Sequence, residues 1–157
     1  MTHIGFVGAG AAAAAAAYVL DGASPETTIT VLEKSRGVCG RAATRRRAGT
    51  TYDYGANYVK SDDERVVELL TETLDTEGLV DVTDPIYVFD AEGTVSEGRD
   101  ADDHKWTYER GLTQIAKRLF GRTDATVNRE TRVEHLRREN GRWLAVDADG
   151  EQWGPFD

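Results

Sequence analysis

An apolar run, His3 to Val7, ends in Gly8-Ala9-Gly10, and unbroken alanine follows from Ala11 to Ala17. A short apolar run bounded by glycine reads as a buried strand. Alanine has the highest intrinsic helix propensity, so a helix is predicted over Ala11 to Leu20. Ser24-Pro25 breaks the chain. The β-branched and apolar stretch Thr28 to Leu32 then reads as a second strand ending at Glu33. Strand, glycine turn, helix and strand within about 30 residues make one βαβ unit.

The turn itself has the pattern Gly8-x-Gly10-x-x-Ala13, a dinucleotide fingerprint with alanine in the last slot. Gly8 permits a tight turn out of the strand. Gly10 lacks a Cβ, so a pyrophosphate can approach the backbone, and Ala13 lets the helix lie close to the sheet. The helix N-terminus offers free N–H groups and the positive end of its dipole to phosphate. Ala9 and Ala12 complete the candidate phosphate turn. Glu33 ends the next strand 20 residues after Ala13, where a carboxylate can accept from ribose hydroxyls and would repel a 2′-phosphate.

Composition narrows the partners. The 157 residues fit one ordinary domain. A net charge of −9 argues against nucleic acid, which wants a basic face. No apolar run approaches the roughly 18 residues of a membrane span, and the first residues lack a basic and then apolar leader; a soluble, cytoplasmic protein is expected. The acidic excess, 28 against 19 basic residues that are mostly arginine, suits a surface hydrated in high salt, and a halophilic source is expected. Cys39 is the only cysteine, so no intrachain disulfide can form. His3, His104 and His135 have no ligand spacing, and no metal is assigned.

Further along, residues 34–54 are rich in Arg, Gly and Thr and read as an extended loop. Ser61-Asp62-Asp63-Glu64 has the form of a capping box opening a helix with Val66, Val67, Leu69, Leu70 and Leu74 on one side. Leu79 to Val82 and Ile86 to Asp90 read as short strands, with a hairpin turn at Glu92-Gly93. Gly98 to Lys105 reads as a surface loop. Leu112, Ile115, Ala116, Leu119 and Phe120 have helical spacing, and Ala125 to Val127 reads as a strand. Arg132 to Leu136 and Trp143 to Val146 flank Asn140-Gly141, a strong hairpin pair, and Asp149-Gly150 turns into Gln152 to Phe156. These last three strands form a meander.

The segment Glu33-Lys34-Ser35-Arg36-Gly37-Val38-Cys39-Gly40-Arg41 resembles the signature of amine-oxidase-type flavoproteins, and Glu33 to Arg47 resembles the renalase family in particular. Asp53-Tyr54-Gly55-Ala56-Asn57-Tyr58, Arg110-Gly111-Leu112 and the strand at Arg132-Val133 also look like that family. The resemblance implies FAD as cofactor. Gly8, Ala9, Gly10, Ala12 and Ala13 would hold its pyrophosphate; Glu33 and Lys34 its ribose; Gly40, Arg41, Ala43 and Thr44 its further length. Gly55, Ala56, Asn57 and Tyr58 would lie beside the isoalloxazine ring, and Val133 beside the adenine. A long cofactor needs a second loop along its length, and arginine supplies fixed, bidentate phosphate donors. Cys39 replaces the first glycine of the family's pair; if that position needs φ > 0, it costs roughly 1 kcal/mol. Cys39 reads as a small buried residue, with a flavin anchor or redox thiol as the other reading. Among Arg45, Arg46 and Arg47, one cation near the flavin stands against a solvated loop face. Tyr58, Trp106 and Tyr108 could line a substrate pocket or simply fill the core.

The expected fold is α/β: a Rossmann-like FAD-binding domain, a parallel sheet with helices on both faces, plus the three-stranded antiparallel meander. Residues 1–60 would form the βαβ unit and flavin loop, 61–110 a partial substrate-domain segment, and 111–157 the return to the FAD domain. Members of the resembled family are about twice as long, so the chain reads as an N-terminal part, expected to dimerise or to pair with a complementary C-terminal chain. The function implied is hydride transfer from a small molecule, an amine or reduced nicotinamide, to FAD with reoxidation by O2; the catalytic residues stay unassigned. An NAD-dependent dehydrogenase and a non-catalytic dinucleotide-binding module remain alternatives.

Overall fold

The computed structural model describes residues 1–98 and 103–157. In chain order it forms β1 (His3–Val7), α1 (Ala11–Ala23) and β2 (Thr28–Glu33). A 3-10 turn at Gly40–Ala42 leads to β3 (Thr44–Arg47) and β4 (Thr50–Asp53). Helix α2 (Glu64–Glu68) runs into a π-helical turn, Leu69–Thr73. Next come β5 (Leu79–Asp81), β6 (Tyr87–Phe89), β7 (Val95–Glu97) and β8 (Trp106–Tyr108). The chain then forms α3 (Thr113–Phe120), β9 (Thr126–Arg129), β10 (Val133–Glu139), β11 (Arg142–Asp147) and β12 (Gln152–Phe156).

Strands β1, β2 and β9 make a parallel sheet with β2 in the centre. Side chains alternate across β2, as strand geometry requires. Ile29 and Val31 join the larger core with Ala14, Ala17, Ala116, Leu119 and Phe120. Burying each of these two β2 side chains contributes about 1.5–3 kcal/mol. Helix α1 packs on α3, and alanine lets the two come close: Ala14, Ala17 and Ala116 have no exposed surface. Leu32 belongs instead to a second core with Ala145 and Phe156. The meander β10-β11-β12 thus covers the other sheet face, where helices were expected. Gly5 shows how tightly: a Cβ there would lie 2.8 Å from the Phe156 ring.

The predicted hairpins form. Asn140 and Gly141 both take positive φ, +49° and +84°, as a type I′ turn requires, and Gly93 (φ +81°) turns β6 into β7. Two expectations are corrected, and one open choice is decided for the core. The extended loop over 34–54 contains the β3–β4 hairpin, closed by Ala48 (φ +49°) and Gly49 (φ +79°). Asp63, not Ser61, caps α2, because its carboxylate accepts the Arg65 amide at 3.0 Å while Ser61 Oγ accepts from Asp63 itself. Trp106 and Tyr108 are buried in β8, which pairs antiparallel with β5. Residues 99–102 of the loop expected over Gly98 to Lys105 lie outside the described residues. Among the described residues, no helix is long and apolar enough to cross a membrane.

The turn between β11 and β12 is held by a buried carboxylate. Asp147 accepts from the Trp153 indole at 2.9 Å and from the amides of Asp149 (3.0 Å) and Glu151 (2.9 Å). The indole first, and then these amides, hold its pKa below the ordinary 3.8. A folded pKa below the unfolded one stabilises the native state above the unfolded value and is lost as pH falls toward the folded one. Asp147→Asn is therefore expected to flatten the loss of stability in acid denaturation below about pH 3.8. An unchanged acid limb in chemical denaturation at stepped pH would count against this role.

Candidate dinucleotide cleft

Two recesses flank the turn between β1 and α1. The turn leaves the sheet at Gly8, whose φ of +96° only glycine adopts without strain. Its amide donates to Leu32 O at 2.7 Å. Gly10 is different. Its φ of −69° suits any residue, yet a Cβ there would meet no atom within 4 Å. Neither its conformation nor the chain's own packing calls for glycine. The open cradle above it fits a ligand that must approach the backbone. Helix α1 has no acidic residue in its first turn and no side-chain cap; Ala14 is the first to bond back, to Gly10 O at 3.0 Å. The earlier amides are the unpaired donors of a helix N-terminus, at the positive end of its dipole.

The larger recess, about 900 Å³, opens beside Gly10 and Ala12. Its other wall is the 39–45 loop together with Tyr54, Gly55 and Ala56. Backbone contacts seat that loop on the phosphate turn: the Cys39 amide donates to Ala9 O at 2.7 Å, and a Cβ on Gly40 would lie 3.3 Å from Gly10 Cα. Gly55 passes so close to Arg41 that a Cβ would sit 2.0 Å from its carbonyl oxygen. Arg41 and Ala43 line this recess, and so does Arg45, whose guanidinium stacks 4.7 Å from the Tyr54 ring centroid. The smaller recess, about 350 Å³, is lined by Gly8, Glu33, Lys34 and Val133 among others.

Glu33 is buried at the edge of this smaller recess. Its carboxylate accepts the Ala9 amide at 2.7 Å and the Ser35 amide at 2.7 Å. Each oxygen keeps a second lone pair for a ligand hydroxyl. Several candidates fall elsewhere. Ala9 is fully buried and spends its amide on Glu33. Ala13 is half-buried outside both linings, and the helix face with no exposure is that of Ala14 and Ala17. Asn57 and Tyr58 are exposed and line neither recess. Thr44 faces away, into a clamp: its hydroxyl donates to Asp53 Oδ1 at 2.6 Å and accepts the Thr113 amide at 3.0 Å, while Asp53 also accepts from the Leu112 amide. That clamp ties the β3–β4 hairpin to the start of α3. Sequence reading missed it, although the small residue Gly111 beside it was a usable signal.

Cys39 sits at φ +84°, in the left-handed region that favours glycine. It is 2% exposed, and its Sγ contacts Leu112 O at 3.6 Å. Burial pushes the thiol pKa up, and the Asp53 charge acts the same way. Both the burial and this direction are the reverse of what a reactive thiol needs, and Cys39 packs in the larger core. Its modification by a thiol reagent is expected to be on the order of 100-fold slower in the native protein than in denaturant. Comparable rates in a timed thiol titration would contradict this.

The fold and cleft define a Rossmann-like domain. Residues 7–73 match the family model described as NAD(P)-binding Rossmann-like domain. Among solved structures, a candidate protoporphyrinogen oxidase from Exiguobacterium sp. 255-15 aligns over 97% of this chain and 58% of its own, at 16% identity and a TM-score of 0.73. A fatty acid isomerase from P. acnes that produces CLA aligns over 97% and 56%, at 13% identity and 0.72. Putrescine oxidase bound to putrescine aligns over 96% and 55%, at 12% identity and 0.68. The likeness is one of fold, and the chain spans a little over half the length of these structures.

Proposed function

We propose that this chain forms the FAD-binding part of a flavin-dependent oxidoreductase of the amine-oxidase type, nearest the renalase family. The observation that carries the reading is the cradle over Gly10, with the 39–45 loop and Gly55 extending it into a second, larger recess. Unpaired α1 amides would hold the pyrophosphate, with Arg41 bracing it by charge-assisted hydrogen bonds. Glu33 would accept from the ribose, and Val133 would border the adenine. Gly55 and Ala56 would bound the far end of the cofactor, with Arg45 placed to favour negative charge there. Bound FAD supplies acceptance of a hydride from a small-molecule substrate and its return to O2. A cytoplasmic location and pairing with a second copy or a complementary chain belong to the same proposal.

The family model's description favours a second reading, a nicotinamide dinucleotide in the same cleft. Titration of the purified chain with FAD, followed by flavin fluorescence, separates the two. Saturable quenching at one equivalent is expected. Arg41→Ala should weaken it at least about tenfold, the loss of one charge-assisted contact of roughly 1.5–3 kcal/mol. Arg41 is exposed, so its removal should leave folding intact. Absence of FAD binding, or an unchanged affinity in Arg41→Ala, would overturn the assignment.

A further inference from the structure

A third recess, about 510 Å³, lies apart from the phosphate cradle, between the 36–46 loop and the α3–β9 face. Arg36, Arg46, Lys117 and Arg129 line it, and no carboxylate does. In a chain of net charge −9, such a concentration of one sign is not a by-product of composition. Arg36 is compensated by Glu130, 3.2 Å away. Among the described residues the others are not: Arg46 and Arg129 reach only backbone carbonyls, those of Arg110 and Arg36, and Lys117 makes no ion pair. Between these cations the recess exposes apolar surface from Val38, Phe120 and Val127.

We infer that this recess is a second ligand site, which takes a small organic phosphate. Its anionic end would lie on Arg46, Lys117 and Arg129, and its planar or apolar body on Val38, Phe120 and Val127. Arginine forks and a lysine point charge are the donors that phosphate recognition uses. Uncompensated cations clustered at a concave surface raise the local concentration of anions, and an apolar floor gives the body somewhere to leave water. The site shares no phosphate donor with the α1 cradle, so the inference stands whatever dinucleotide the first cleft holds.

ADP is a suitable probe, used on the full chain carrying Gly10→Leu so that the first cleft is blocked. Saturable binding is expected, with amide NMR shifts at Val38, Phe120 and Val127. Arg46→Gln with Lys117→Gln should weaken it about tenfold or more, since each removed charge-assisted contact is worth about tenfold or more. Single Lys117→Gln serves if the pair folds poorly, and Arg122→Gln, outside the recess, should leave binding unchanged. No saturable ADP binding to the Gly10→Leu chain, or equal binding after loss of Arg46 and Lys117, would overturn the inference.

Discussion

Gly10→Leu should reduce dinucleotide affinity about 100-fold or more while leaving the melting temperature within about 2 °C of the parent. The backbone at Gly10 is in an ordinary extended conformation, and a Cβ there meets nothing within 4 Å. Surface substitutions away from strained or tightly packed positions usually change stability by no more than about 0.5 kcal/mol. The added atoms would instead fill the space through which a phosphate reaches the α1 amides. Losing two hydrogen bonds to a charged group, each worth about 1.5–3 kcal/mol, gives roughly that loss in affinity. Fluorescence titration and thermal melting on the same preparation check both halves. Retained affinity would mean that the cradle is not where the ligand lies; a large drop in melting temperature would mean that Gly10 serves the fold.

Gly111→Ala should have the opposite profile: a loss of about 3 kcal/mol of stability, hence roughly 6–12 °C in melting temperature for a chain of this size. Two costs combine. At φ +84° a Cβ is disfavoured by about 1–2 kcal/mol. It would also sit 2.2 Å from Thr44 Oγ1 and 2.8 Å from Asp53 Oδ1, inside the clamp joining the hairpin to α3, and overpacking costs about 1–3 kcal/mol. A variant melting within 2 °C of the parent would show that the clamp yields freely.

The βαβ unit was legible because its requirements are local. A positive φ at Gly8, room at Gly10 and an alanine helix each point to a residue type, and all agree. The meander was legible for the same reason: Asn140-Gly141 accepts a turn few other pairs do. Where partners are distant, reading failed. The β3–β4 hairpin carries an exposed arginine strand, and its turn begins with Ala48 at a φ that alanine rarely adopts, so neither pattern nor turn chemistry announces it. The cap of α2 depends on which of two neighbouring side chains reaches the helix, and Arg65 decides this by pairing with Asp63. The faces of the sheet could not be assigned from β2 alone: Leu32 and Val31 look alike in sequence, and only the approach of Phe156 to Gly5 shows what covers each. In the cleft, Gly10 was readable from motif spacing, and Arg41 and Gly55 were implied by the family resemblance. The Asp53–Thr44–Thr113 clamp was not, because it joins residues 69 positions apart.

Glu33 has a consequence of another kind. Two backbone amides already grasp its carboxylate, so the acid is immobile and largely stripped of water before any sugar arrives. The ordering that recognition normally demands of a flexible side chain has been completed by folding. The same residue is therefore a joint of the scaffold, linking the Gly8–Gly10 turn to the strand that follows it, and under the proposed function selection for recognition and for architecture could not be separated at that position.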